Sequence, residues 1–213
     1  MAKIEKKENG VFKSNLLIFY NLSLYLSGLF LVHKKALSLI ELKNQNIFLD
    51  IGCGSGKLIF ELDKIYKNKN LYGIDPSPKM IDLATTKSNK FKHRNDIHFK
   101  IAFGQDLPFV PDSVDFINST LAFHHINIED KIKVLREITR ILKPGGLCLI
   151  SDLGDRPRRI LGHIFYLISS KHAFIKGNLQ VIENELKDLG FQKIKTERNF
   201  GYIEHLLWKK PSY

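Results

Sequence analysis

The stretch LDIGCGSGK, Leu49 to Lys57, sets three glycines at alternate positions, Gly52, Gly54 and Gly56, behind an acid, Asp50. Such glycines let backbone approach a ligand without Cβ interference, and a helix opening beyond them turns unpaired N–H groups toward negative charge. The spacing excludes two familiar ligands. A dinucleotide fingerprint needs glycine where Lys57 stands, and a phosphate-cradling P-loop needs Ser or Thr where Leu58 stands. Asp75 closes the run LYGID, 19 residues after Gly56, and an acid there suits ribose hydroxyls. A tight turn or a solvated aspartate explains either feature alone; the pair in this order predicts a nucleoside ligand with no pyrophosphate requirement. His124 and His125 follow a strand-like run, and imidazole is the side chain best suited to move a proton near neutrality. Adjacent side chains rarely enter one pocket, so one catalytic base at most is expected, with a packed structural histidine the equal alternative for each. His163, Tyr166 and His172 are weaker candidates. Cys53 and Cys148 have no ligand spacing, which predicts neither a metal site nor a disulfide.

These residues need a frame, and from residue 46 short apolar runs alternate with helix-period segments, the pattern of an α/β sheet. NIFLDIG, LYGID, DIHFKIAF, SVDFINSTL and GLCLISD read as five strands. SGKLIFELDKIY, PSPKMIDLATTKS and IEDKIKVLREITRILK read as helices, the last stopped by Pro144-Gly145-Gly146. After a connection at Leu153–Gly177, which contains a predicted helix RRILGHIFYLISS, come a helix LQVIENELKDLG and two strand-like runs, FQKIKTERNF and YIEHLLWKK. A tight turn near Gly201 would make those runs an antiparallel hairpin at the sheet edge.

FLDIGCGSG, LYGIDPSPKMIDLA, DLPFVPDSVDFINSTLAFHHI and LREITRILKPGGLCLISD, in that order over residues 46–152, resemble the motifs of class I S-adenosylmethionine-dependent methyltransferases, methyltransferase type 11 among them. The resemblance implies a doubly wound, seven-stranded, mostly parallel sheet with an antiparallel last strand. It implies a single domain built of a helical lid (residues 1–45), a cofactor core (46–152), a substrate-side insertion (153–177) and a final helix and hairpin (178–213). It implies S-adenosyl-L-methionine as cofactor and S-adenosyl-L-homocysteine as product. By the same resemblance the loop Asp50, Gly52, Cys53, Gly54 and Gly56 holds the methionine part. Asp75 with Pro76 meets the ribose, Met80 lies against the adenine, and Asn118 approaches through its backbone. The family often has an Asp-Ala pair where this chain has Phe103 and Gly104, so adenine recognition is expected to lean on backbone and stacking, unless Asp106 substitutes.

The acceptor is less sharply drawn. Lys and Arg number 33 against 22 Asp and Glu, and a net charge of +11 favours anionic lipid, nucleic acid or acidic ligands without choosing among them. The opening segment FYNLSLYLSGLFLVHKKALSLIEL resembles quinone-pathway C-methyltransferases and their lipid-methylating relatives, which implies a small, lipophilic acceptor. Leu16 to Val32 carries no formal charge, yet Tyr20, Ser23, Ser27, Lys34, Ser38 and Glu41 form a polar stripe at helical spacing. That ranks a lid or packing helix first, an interfacial contact second and a bilayer span third. No A-x-A-like cleavage site follows, and the expected location is cytoplasmic, with peripheral membrane contact as the variant. RNA methylation is the competing enzyme reading, weakened by the lack of an RNP-like motif or an Asn-Pro-Pro-Tyr-type segment. A non-catalytic S-adenosylmethionine-binding protein is the reading from another class.

Overall fold

A computed structural model describes residues 29–42, 45–154, 177–199 and 202–212. The chain resolves into two compact units, Met1–Leu31 and Val32–Tyr213. Of the predicted features, most of Leu16–Val32, the helix within 153–177 with His163, Tyr166 and His172, and the turn at Gly201 lie outside the described residues.

The elements are α1 (Leu29–Leu39), β1 (Ile47–Ile51), α2 (Lys57–Ile65), β2 (Asn70–Asp75), α3 (Pro78–Ser88), β3 (Asp96–Ile101) and β4 (Val114–Thr120). A single 3-10 turn (Phe123–His125) leads to α4 (Ile128–Ile141), β5 (Leu142–Leu153), α5 (Asn178–Asp188), β6 (Gln192–Asn199) and β7 (Ile203–Lys209). They form one seven-stranded sheet in the order β3-β2-β1-β4-β5-β7-β6. Strand β7 runs antiparallel to both neighbours, β5 and β6, and the pairs from β3 to β5 are parallel. The expected hairpin is therefore present, with β6 at the edge.

Central strands read as continuous apolar runs because both faces are covered. On one face Phe48 stacks on Phe116 at 5.7 Å beneath Ala36, Leu39, Leu58 and Leu62 of α1 and α2. On the other, Leu49, Ile117, Cys148 and Trp208 meet Val134, Ile138, Ile182 and Leu186 of α4 and α5. From Val32 on, α1 is thus a packed helix, tied down by an ion pair from Lys35 to Glu197 of β6. Beyond it the Tyr66 hydroxyl donates to Ile40 O at 2.9 Å. No described helix is long and apolar enough to cross a membrane.

One boundary differs from expectation. The helix α4 stops at Ile141, and Pro144-Gly145-Gly146 falls inside β5 rather than forming the turn that ends the helix. A residue before proline disfavours the helical region, so Lys143 cannot continue α4. Gly145, at φ +73°, absorbs the resulting irregularity between Val114 and Phe116 of the β4–β5 ladder.

At the amino edge of the sheet, Asp63 of α2 binds His93 Nδ1 at 2.8 Å, Arg94 N at 3.0 Å and Asn95 Nδ2 at 2.8 Å. Burial pushes this carboxyl up, but its donors outweigh burial and hold it below the usual range. A depressed folded pKa gives stability that is present above the unfolded value and is lost as pH falls through the folded one. Urea midpoints should therefore decline from about pH 4 downward, and Asp63→Asn should flatten that decline. An unchanged acid limb in the variant would remove Asp63 from the account.

Candidate functional site

Strand order reverses between β1 and β4, so their carboxyl ends open a crevice at the topological switch point. The loop after β1 is folded back by Gly52 N and Cys53 N, both donating to Ile74 O of β2 at 2.9 Å. Two of its glycines are required for different reasons. Gly56 has φ +79°, and a Cβ there would sit 2.7 Å from the Phe99 ring, so close packing excludes any side chain. Gly54 has φ +52° and nothing within 4 Å of its Cβ position, so its backbone borders open space.

Two carboxylates lie at this end of the sheet. Asp75 accepts Gly54 N and Ser77 N, each at 2.9 Å, and so joins the glycine loop to the start of α3. Asp50 is buried and accepts Asn118 Nδ2 at 2.7 Å. Burial pushes the Asp50 carboxyl up to about 7, against the Asn118 bond and with help from the nearby Asp75 charge. Together the pair makes a negatively biased cradle. Cys53 Sγ contacts Gly54 O at 3.6 Å, and burial with both carboxylates raises its thiol well above the ordinary value. Burial raises Cys148 to about 12, and both environments disfavour the thiolate.

Asn118 faces Asp50 on β1 and Leu149 on β5 from within β4, and its buried amide also meets Thr120 Oγ1 at 3.2 Å. Its side chain orients Asp50, a role its position in SVDFINSTL did not announce. Across the crevice, Pro76 is exposed and Met80 is partly buried in the first turn of α3, with Pro78 preset for the helix start. Phe103 is 55% exposed just beyond β3, a large apolar ring with no core to fill. Gly104 packs so closely under α4 that a Cβ would lie 3.0 Å from Val134. Asp106 donates its N–H to Phe103 O at 3.1 Å, is exposed, and lies in the field of Arg140. The following Leu-Pro-Phe segment is held by α4. Glu137 accepts Leu107 N at 2.9 Å, while Arg140 donates to Leu107 O and Phe109 O at 2.9 and 2.8 Å. That clamp went unread in the sequence, although Glu137 and Arg140 are spaced as a helical i,i+3 pair.

After β4 the chain turns sharply at Leu121, a non-glycine at φ +57°. The turn sets Ala122 so near Gly52 that a Cβ on Gly52 would lie 2.5 Å from the Ala122 Cβ. His124 and His125 follow, their rings 4.0 Å apart and tilted by 45°. His124 is buried, and its Nδ1 lies 2.7 Å from Asp152 Oδ1 at the carboxyl end of β5. His125 is exposed, and desolvation together with the charge of His124 pulls its imidazole below the ordinary value. The two rings touch, yet one is buried and the other exposed. Among the described residues no group of three or more His, Cys, Asp or Glu could hold a metal ion.

Residues 49–150 match a family profile described as a methyltransferase domain. The chain is 32% identical over 133 residues to the ubiquinone/menaquinone biosynthesis C-methyltransferase UbiE of Geotalea daltonii, covering 62% of this chain and 55% of that protein. It is 34% identical over 114 residues to the demethylmenaquinone methyltransferase of Lactobacillus johnsonii, covering 53% and 46%. The chain therefore spans about half the length of the curated relatives it matches. In fold it is similar to an S-adenosylmethionine-dependent methyltransferase of Methanosarcina mazei, with a TM-score of 0.67 at 21% identity over 81% of this chain and 95% of that one. The glycine loop, the acid at the end of β2 and the antiparallel final strand agree with these likenesses, and the chain belongs to the class I S-adenosylmethionine-dependent methyltransferases.

Proposed function

We propose that the chain moves a methyl group from S-adenosylmethionine to a small, lipophilic acceptor of the quinone-precursor or lipid-like class. One observation carries the cofactor half: Asp75 holds the N–H of Gly54, whose backbone borders open space, and the carboxyl of Asp50 lies close enough to feel the Asp75 charge. A ligand bearing an ammonium, a sulfonium and a ribose suits that cradle in charge and in hydrogen bonding. Asp75 would hold the ribose hydroxyls, Asp50 the ammonium, and Met80 and Phe103 the adenine faces. When bound, the cofactor supplies a methyl carbon activated by positive sulfur. The protein's share is then to align the acceptor in line with it and to keep water away.

Support for the acceptor half comes from the relatives, a ubiquinone/menaquinone biosynthesis C-methyltransferase and a demethylmenaquinone methyltransferase, and from the apolar opening segment. Peripheral contact with a membrane surface would give such an acceptor a route in, and the excess of basic residues favours an anionic surface.

Calorimetry with S-adenosylmethionine tests the cofactor half. Asp75→Asn keeps the shape but halves the acceptor capacity toward Gly54, Ser77 and a ribose, and affinity should fall by about tenfold or more. Unchanged affinity would refute the ribose assignment. Labelled-methyl transfer to demethylmenaquinol, total lipid and bulk RNA tests the acceptor half. Label in RNA alone would replace the proposal with RNA methylation, and binding without transfer to any of them would favour the non-catalytic reading.

A further inference from the structure

We infer that His124 and Asp152 form a base dyad, and that the methyl acceptor is accordingly one that must surrender a proton, such as a quinol, phenol or enol. This rests on the methyltransferase reading and narrows it.

The geometry carries it. Asp152 is fully buried, and its Oδ1 accepts both His124 Nδ1 at 2.7 Å and Leu153 N at 2.6 Å. Its Oδ2 accepts the His124 backbone N–H at 3.2 Å. A carboxylate offers only lone pairs, so Nδ1 donates to it, and in the neutral form of the ring the lone pair lies on Nε2. Every contact found for His124 goes through Nδ1, its backbone or its ring face on His125. Among the described residues Nε2 has none, yet it is not among the sealed, unpartnered polar atoms of the interior. An orienting carboxylate on one nitrogen and a free second nitrogen is the arrangement of a general base.

Placement argues the same way. The dyad joins the carboxyl ends of β4 and β5, on the side of the crevice that the cofactor cradle leaves for an acceptor. Leu121 holds a left-handed backbone to bring the turn there, a strain that a plain loop would shed. Full burial of Asp152 is also costly for a purely structural contact.

Two other titratable groups face the dyad. His125 lies against it on the same turn, and desolvation, with the His124 neighbour adding to it, pulls its imidazole below the ordinary value. Glu204 of β7 stands opposite Asp152 and is ion-paired with Arg198 of β6. Of these described groups, His124 therefore has both a free nitrogen and a counter-charge for its imidazolium.

In the step, the acceptor's proton passes to Nε2 and its electron pair attacks the methyl carbon. The new bond to carbon forms as the carbon–sulfur bond breaks, and that bond's electrons remain on sulfur. The imidazolium then returns its proton to solvent. Asp152 is a positioning residue here and touches no reacting atom.

The test uses the full chain, S-adenosylmethionine, and two probes: menadiol, which has ring hydroxyls, and its dimethyl ether, which has none. Menadiol should accept methyl and the ether should not. Asp152→Asn should lower kcat about tenfold to hundredfold and displace the acidic limb of its pH profile, with cofactor affinity within about twofold of the parent. In nitrogen-15 spectra of the cofactor-free chain, His124 should be the Nδ1–H tautomer in the parent and lose that preference in the variant. If Asp152→Asn does not fold, His124→Gln carries the kinetic test and should abolish the acidic limb. Equal transfer to the ether, no transfer to menadiol despite cofactor binding, or an unchanged pH profile and tautomer would each overturn the dyad. Failure of the parent to bind cofactor would show first in calorimetry and would overturn the methyltransferase reading with it.

Discussion

At pH 8, Asp50→Asn should melt several degrees above the parent chain while binding S-adenosylmethionine at least about tenfold more weakly. The two effects have one cause. Burial and the nearby Asp75 raise the Asp50 carboxyl to about 7 in the fold, against 3.8 for an exposed one. An acid whose folded pKa is raised costs the fold nothing while it stays protonated. The penalty appears as pH climbs above the unfolded value and is complete above the folded one. A difference of that size corresponds to at most about 4 kcal/mol, and half of it would still move the melting point of a chain this long by several degrees. Asparagine removes the charge yet still accepts the Asn118 amide, so the stabilising arm should shrink as pH is lowered toward 4.

The binding arm has the opposite pH sense. An ammonium beside Asp50 prefers the ionised carboxylate, so cofactor affinity of the parent should rise with pH through about 7, with proton release on binding below it. Asp50→Asn should show a flat profile. Calorimetry in buffers of different ionisation enthalpy measures the release directly. A variant that is no more stable and binds as well as the parent would mean that Asp50 is a core residue that happens to be charged.

The second large effect separates two glycines that look alike in the sequence. Gly56→Ala would place Cβ 2.7 Å from Phe99 Cζ and 3.0 Å from Phe60 Cε2, at φ +79°. Strain and overpacking together should cost about 2–4 kcal/mol of stability, with a correspondingly lower urea midpoint. Gly54→Ala meets no neighbour within 4 Å, so its stability cost should be only the left-handed backbone, about 1 kcal/mol. Its methyl group would instead stand where the cofactor approaches, and affinity should drop about tenfold to hundredfold. Equal losses of stability in the two variants, with equal affinities, would contradict this division of labour.

These cases also show what was legible before the fold was known. Strand and helix order followed from apolar periodicity, because a sheet covered on both faces needs unbroken apolar strands and helices with one apolar stripe. The glycine loop and Asp75 were readable because glycine spacing and an acid at a strand end are local constraints. Helix α4 was overrun by two residues, since pattern counted Leu142 and Lys143 as helical while the restriction imposed by Pro144 ended it sooner. Asp152 ends GLCLISD as Asp75 ends LYGID, and the same strand-end rule could have singled it out.

By itself, then, the sequence of this protein determined its class of fold, its element order and the cofactor loop, all written in contiguous residues. Tertiary structure alone decided which charges meet: Asn118 with Asp50, 68 residues apart, and His124 with Asp152, 28 apart. The reason is physical. Parallel strands are joined by crossovers, so neighbours in the sheet are distant in the chain, and the burial that shifts a carboxyl or orients an imidazole exists only once those strands pair.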